Sequence, residues 1–482
     1  MSNYPIKFAL ITDPHYFSAK LGCTGDAYER RAASDQKMLA PSRGAVIAAL
    51  EKIKTSGARF LLIPGDLSND GERCSHEEMR ELLYEFKKTM PVFVTTATHD
   101  WCCDGNPRRY EGDQVFHDVD TVPVGELRDF YKDFGPEDAV SEFFTHQHNS
   151  SYAARPCEGL TVLCLNDDQN GDPCTGSGYS EEHWAWIAEQ VAAAKARGDK
   201  VVAMQHHHMF LSEFMRVING NGSVQYKEEM ARRFADMGMP VMFTGHSHMT
   251  SIRKIVTDAG NPFYEINVGS ISGYPAPILY GTVTEDGIQI NTEYLDSFTY
   301  DGKTYTNDDL REHATLLFKN VIDAAHTGDK RRFEALMESL SMSHEKADKL
   351  WKKAKPALRW LEKLRVRKAA RIINFIACGQ QIDRKAAKEI GDLHVTQIIY
   401  DTFAAILDGS RDKHPEGTAY YKVFVGACAF PLKMVKRFHI KNGGLLRTLT
   451  HLKDAAPELM TGGPLNNTDY FIEWENLLVN NQ

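Results

Sequence analysis

The first 300 residues alternate short apolar, β-branched runs with stretches of helical spacing. FALIT (8–12), RFLLIP (59–64), PVFVTT (91–96), LTVLCLN (160–166), KVVAMQ (200–205) and PVMFTG (240–245) are mostly apolar runs of strand length. Such runs mark strands buried on both faces rather than half-exposed ones. Apolar positions at 3.6-residue spacing predict helices over 42–56, 74–89, 180–197 and 226–237. After 245 the helices stop. SIRKIVT, PFYEINV, ILYGTVT and IQINTEYL follow one another, with turn residues at 258–261 and 285–287, so hairpins are expected. The alternation predicts an α/β domain over 1–300 whose sheets are covered by helices.

Residues 101–150 break this rhythm, with one short helical stretch near 124–133. An insertion of that length is expected to shape a site rather than merely connect strands. From about 305 the pattern is helical: 307–326, 329–340, 344–375, 383–407 and 418–438, with breaks at Gly328, Gly379, Gly409 and 415–417. Ser343 is an expected N-cap for the third. The expectation is a C-terminal all-helical domain over 301–482 that packs near the site or recruits a partner.

Charge supports a boundary near 300. Residues 1–300 carry 27 basic and 42 acidic side chains, whereas 301–482 carry 29 basic and 23 acidic, within a net charge of −9. An acidic first part repels phosphate backbones, which argues against a nucleic-acid scaffold. No apolar run approaches the ~20 residues needed to span a bilayer. The N-terminus lacks the cationic start and cleavage site of a secretory signal. Nine cysteines without a C-x-x-C pair read as free thiols, so a cytoplasmic location is expected.

Five clusters lie just past the predicted strands: Asp13-Pro14-His15, Gly65 to Gly71 around Asp66, Thr98-His99-Asp100, His206-His207-His208, and Gly245-His246-Ser247-His248. Ligand sites in α/β sheets gather outside the carboxyl ends of strands, so clusters spread over more than 230 positions are able to converge. Asp-x-His and His-x-His each place two donors on one side of an extended backbone. Mixed carboxylate and imidazole donors suit zinc, manganese or iron.

These clusters resemble the calcineurin-like metallophosphoesterase superfamily, whose motifs run D-x-H, G-D-x-x-x-x-G, G-N-H-D/E, a later His, and G-H-x-H. The resemblance covers roughly residues 6–300 and implies a four-layer αββα sandwich. It implies that Asp13, His15 and His248 hold a first divalent metal, that Asp66 bridges, and that His206 and His246 hold a second. His206 is preferred because it directly follows its strand, with His207 in reserve. His99 is expected beside the substrate phosphate, with Asp100 accepting its ring N–H. Thr98 departs from the motif Asn, so a weaker second site is expected. The implied reaction is hydrolysis of a phosphate mono- or diester of a small phosphorylated substrate by a hydroxide bridging two metals (Mn, Zn or Fe). The competing reading is a binding or regulatory protein of the same fold, weakened through Thr98. An amidohydrolase-type site would place His-x-His early and Asp late, the reverse of the order here.

Three further features carry expectations. Arg108 and Arg109 are read as loop charges in preference to a phosphate clamp, and Trp101 as a pocket wall or a packing residue. The segment 351–371 is strongly basic, with Glu362 its one acid. It is read as a helix face docking on the acidic part, the functional reading being contact with an anionic partner.

Overall fold

The computed structural model describes residues 3–145, 148–168, 177–210, 224–328, 330, 333–334, 344–409, 414–439, 441, 443–461, 465 and 468–474. Numbered along the chain, the strands are β1 (Ile6–Leu10), β2 (Leu61–Pro64), β3 (Val92–Thr95), β4 (Arg109–Glu111), β5 (Gln114–Phe116) and β6 (Ser141–Phe144). They continue with β7 (Ser150–Cys157), β8 (Leu160–Cys164), β9 (Lys200–Met204), β10 (Val241–Thr244), β11 (Ser251–Val256) and β12 (Pro262–Asn267). The remainder are β13 (Pro277–Val283), β14 (Gly287–Tyr294), β15 (Ser297–Tyr300), β16 (Lys303–Thr306) and β17 (Asp469–Glu473). All six long apolar runs form strands. Two large sheets result, ordered β17-β14-β13-β1-β2-β3 and β11-β12-β10-β9-β8-β7-β6.

The sheets pack face to face. Ile6, Phe8 and Leu10 of β1 alternate into the core between them, where they join Val162, Met204 and Phe243 of the second sheet. Ala9 and Ile11 point the other way, onto Val46 and Leu50 of helix Ser42–Lys54 and Met79 and Leu83 of helix Arg73–Lys87. The outer face of the second sheet is covered by Trp184 and Ile187 of helix Glu181–Ala196 and by Met230 and Phe234 of helix Val224–Met237. This is an αββα arrangement, and its two-sided burial explains why the strands read as unbroken apolar runs. β1, β2 and β3 are mutually parallel, as are β8, β9, β10 and β12. Their carboxyl ends therefore open on one edge of the sandwich. The predicted hairpins exist as β11–β12 and β13–β14, one in each sheet.

The C-terminal region is largely helical, but two predicted helices are each cut in two. The 344–375 stretch divides into His344–Glu362 and Val366–Ile376, and 383–407 into Arg384–Glu389 and Val395–Asp408. One contact causes both breaks: Val366 N–H bonds to Leu393 O and Val395 N–H to Leu364 O, each at 2.9 Å, around an Arg365–His394 bridge. Extended pairing of this kind is invisible to helical periodicity. Arg359 of the basic segment donates to Ala325 O and His326 O, and Arg367 pairs with Asp392, so part of that charge is used internally. Helix Gly443–Thr461 and strand β17 were not anticipated, and β17 returns to pair with β14. Of the predicted helix 329–340, all but a few positions lie outside the described residues. Among the described residues, no helix is long and apolar enough to cross a membrane.

One buried histidine ties the helical layer to the site edge. His76 accepts from the Tyr131 hydroxyl at Nδ1 and donates from Nε2 to Asp100 O, both at 2.7 Å. Burial pushes its pKa down from 6.5 to about 4. The folded state thus holds it neutral while the unfolded chain takes up a proton below about pH 6.5. Its stabilising contribution is present above that pH and is lost as pH falls toward 4, on the order of 3 kcal/mol in all. In scanning calorimetry, the Tm gap between wild type and His76→Gln is expected to narrow from pH 7 to pH 4.

Candidate metal centre

Each cluster sits where a parallel strand ends and the backbone turns sharply. Asp13, His15, Asp66, His246 and His248 all adopt positive φ, from 40° to 70°, five of the eleven described non-glycine residues that do so. Left-handed backbone costs such residues about 1–3 kcal/mol each, and it concentrates here because it aims their side chains inward. The Asp13 carboxylate accepts the Thr12 hydroxyl at 2.7 Å and the His246 N–H at 3.1 Å. Gly245 allows that approach, since a Cβ there would stand 2.3 Å from Asp13 Oδ2.

Around these carboxylates the imidazoles face inward. His248 Nε2 lies 3.3 Å from Asp13 Oδ1 and 2.9 Å from His15 Nε2. Asp66 Oδ2 is 3.5 Å from His15 Nε2 and 3.1 Å from His206 Nε2, while Asp66 Oδ1 accepts the His99 N–H at 3.2 Å. His206 donates its Nδ1–H to Pro64 O at 2.8 Å, which turns Nε2 toward Asp66. Gly65, at φ 92°, makes room for this ring: a Cβ there would fall 2.8 Å from His206 Nδ1. The ring of His246 reaches the exposed rim beside His206 and His207. Four sets of ligand-type atoms, each set within 4.8 Å, overlap in this volume: Asp13/His15/His248, Asp13/Asp66/His206, His15/Asp66/His99 and His206/His207/His246. The structure thus brings together all six expected ligands and His99.

Electrostatics divides the cluster. Burial opposes ionisation of Asp13, yet its bonds to His15 and His248 hold its carboxyl well below the usual range. Burial likewise opposes Asp66, and the facing His206 and His99 reverse it. His206 is raised well above 6.5 by Asp66 against the cost of burial. His15 goes the other way, down to about 3, through burial and the Lys37 ammonium 3.2 Å from its Nδ1. His246 is lowered by burial and by its neighbouring imidazoles. The cluster is thus split: His15 and His246 are held toward the neutral form, while His206 and His99 are held toward the protonated one by the carboxylates they face.

One expectation is corrected. Asp100 does not accept from the His99 ring; its two oxygens take the Ser68 and Ala97 N–H groups, each at 2.9 Å. Thr98–Trp101 forms a single 3-10 turn, which folds the Asp100 side chain back over its start and sends the His99 ring outward. Burial and nearby Asp66 push Asp100 up to about 7. His99 Nδ1 instead lies 2.5 Å from Asn69 O and 3.4 Å from Asp70 Oδ1, and its side chain is 40% exposed. Against burial, Asp66 and Asp70 raise its pKa.

Several residues were not anticipated. Asp70 also binds Arg108 at 3.3 Å, so that arginine is no free clamp, while Arg109 pairs with Asp118 on the β4–β5 hairpin. Gln36 touches His248 Nδ1. Asp167 and Asp168 follow β8, and Trp101 donates to Asp168 at 3.3 Å. An acidic pair directly after the run LTVLCLN was the available signal.

The model of the calcineurin-like phosphoesterase family matches residues 6–250, more than half of the chain. The chain belongs to this family. Among curated relatives it is 25% identical over 203 residues to the sphingomyelinase phosphodiesterase D of Dictyostelium discoideum, covering 39% of this chain and 40% of that protein. It is 22% identical over 254 residues to the serine/threonine-protein phosphatase CPPED1 of Bos taurus, covering 51% and 69%. The chain therefore spans well under half the length of the first of these relatives. A dimetal phosphatase structure from Danio rerio aligns at TM-score 0.40 and 12% identity, covering 60% of this chain and 97% of that one. A purple acid phosphatase from yellow lupin seeds aligns at TM-score 0.41 and 11% identity, covering 63% and 53%.

The family implies divalent metals, and the residues present fit them. The buried Nε2 atoms of His15 and His206 both face the Asp66 carboxylate, and the donor set is the mixed carboxylate–imidazole kind that zinc, manganese and iron favour. The close approach at Gly65 is open to test. Gly65→Ala is expected to destabilise by roughly 2 kcal/mol or more, through strained φ and displacement of His206. Gly57→Ala is the control: its φ is 79° but nothing lies within 4 Å of a Cβ there. Urea denaturation should show the larger loss at Gly65.

Proposed function

We propose that the chain is a metal-dependent phosphohydrolase that cleaves a phosphate mono- or diester of a small substrate. The observation that carries this reading is the position of Asp66, whose buried carboxylate stands between His15 Nε2 at 3.5 Å and His206 Nε2 at 3.1 Å. Asp13, His15 and His248 would hold one divalent ion, His206 and His246 the other, with Asp66 shared. A pair of divalent ions at such a site activates water and neutralises the phosphate oxygens.

The chain's own residues do the rest. His99 stands at the rim next to Asp66, where a phosphate drawn to the centre would meet it. Its Nδ1 is engaged by Asn69 O and Asp70, which leaves Nε2 to donate to the phosphate or to the departing oxygen. Asp70 orients that ring. Asp100, by gripping Ser68 and Ala97, fixes the two loops that carry Asp66 and His99. Family membership supports a phosphorylated substrate.

Two substitutions test the reading on aryl phosphate mono- and diesters with Mn²⁺, Zn²⁺ or Fe²⁺ supplied. Asp66→Asn is expected to lower kcat/KM by on the order of 100-fold or more and to reduce bound metal. Unchanged metal-dependent turnover would refute the assignment. His99→Gln is expected to lower kcat by about 10²–10⁴-fold with metal content unchanged.

A further inference from the structure

The residue after His206 is unexpectedly well placed. On an extended strand His207 would face away from its neighbour. Here β9 has ended at Met204, and the backbone turns: Gly245 N–H bonds to His206 O at 3.0 Å and the Gln205 side chain donates to His207 O at 2.6 Å. The His207 ring consequently lies 5.0 Å from that of His206 and 4.5 Å from that of His246, centroid to centroid. One ligand atom of each of the three falls within 4.8 Å of the others.

The other side of the ring is held. His207 Nδ1 is 3.1 Å from Asp167 Oδ2 and 3.7 Å from Asp168 Oδ1. Both carboxylates are nearly buried; Gly178 N–H holds the Asp167 backbone through its carbonyl O at 2.8 Å, and Trp101 donates to the Asp168 carboxylate at 3.3 Å. A carboxylate that accepts Nδ1–H keeps the lone pair on Nε2 and raises its basicity, the arrangement found behind metal-binding histidines. Thr98, which stands where the family motif has Asn, has only a hydroxyl to offer.

We propose that His207 is a ligand of the second metal position, with Asp167 as its positioning residue, in the place that Thr98 leaves poorly filled. This rests on the two-metal reading above. The second position then has Asp66, His206, His207 and His246 as donors. Imidazole nitrogens suit zinc, manganese and iron far better than a hydroxyl does.

Titration of the metal-free full-length protein with Mn²⁺ by calorimetry, and metal counting after gel filtration, test this without turnover. Wild type is expected to take two Mn²⁺ per chain. His207→Ala and His207→Gln should keep one and weaken the other by at least about 10–100-fold, and Asp167→Asn should weaken the same one by about 10–100-fold. Adding Thr98→Asn to His207→Ala should restore it, which loss of folding would not allow. With Co²⁺ as probe, loss of an imidazole should also alter the visible absorption. Two equally tight Mn²⁺ in both His207 variants would overturn the inference and leave the two-metal reading standing. Wild-type affinity in Asp167→Asn would remove its positioning role. Fewer than two Mn²⁺ in wild type would overturn the two-metal reading itself.

Discussion

Two carboxylates, Asp13 and Asp66, are withdrawn almost completely from water at the seam between two sheets. Ionised groups in such a place cost several kcal/mol each unless positive charge or directed hydrogen bonds replace the lost solvent. The local structure is organised around that requirement. Backbone N–H groups from His99 and His246 aim at the carboxylates, and imidazoles close on them from both sheets. The chain accepts left-handed backbone at five of these residues to achieve it. Burial and Lys37 make His15 a poor cation, and burial and its neighbouring imidazoles do the same to His246, whereas divalent ions would satisfy both carboxylates and spare histidines at once.

The fold supplies the geometry through strand direction. Parallel strands of one sheet deliver Asp13, Asp66 and His99, and those of the other deliver Asp167, His206 and His246, all at carboxyl ends. Neither sheet alone contains a complete donor set. Packing at the inter-sheet core, with Phe8 against Phe60 and Phe243, therefore sets ligand distances that no loop specifies by itself.

The C-terminal region supports the same edge. His313 Nε2 donates to Lys37 O at 3.1 Å and Asn320 to Ala33 O at 2.7 Å, so helix Asn307–Thr327 braces the loop that carries Gln36 and Lys37. Thr250 N–H, two residues past His248, bonds to Leu407 O at 3.1 Å. Leu310, Ala314, Ala404 and Leu407 lie in the same apolar cluster as Ala9 and Ile63. β17 completes the first sheet by pairing with β14, so the C-terminal region also contributes a strand to the sandwich.

Much of this was legible in the sequence alone. Strands buried on both faces must be apolar throughout, so all six runs were visible, and the Asp, His and Gly clusters had to follow them because chemistry gathers at strand ends. Resemblance to the family's motifs pointed to Asp13, His15, Asp66, His206, His246 and His248 as the residues to look for there. What tertiary structure decided was everything set by contact between distant segments. The pairing of 364–366 with 393–395 cut two helices whose periodicity continued unbroken. The tightness of one 3-10 turn gave the His99 ring to Asp70 in place of Asp100. His207 faces the centre because its strand ends before it and because β8, some 40 residues earlier, brings Asp167 behind its ring. Residue type and spacing carry local periodicity and donor chemistry, while the direction in which a side chain finally points depends on partners that no local window contains.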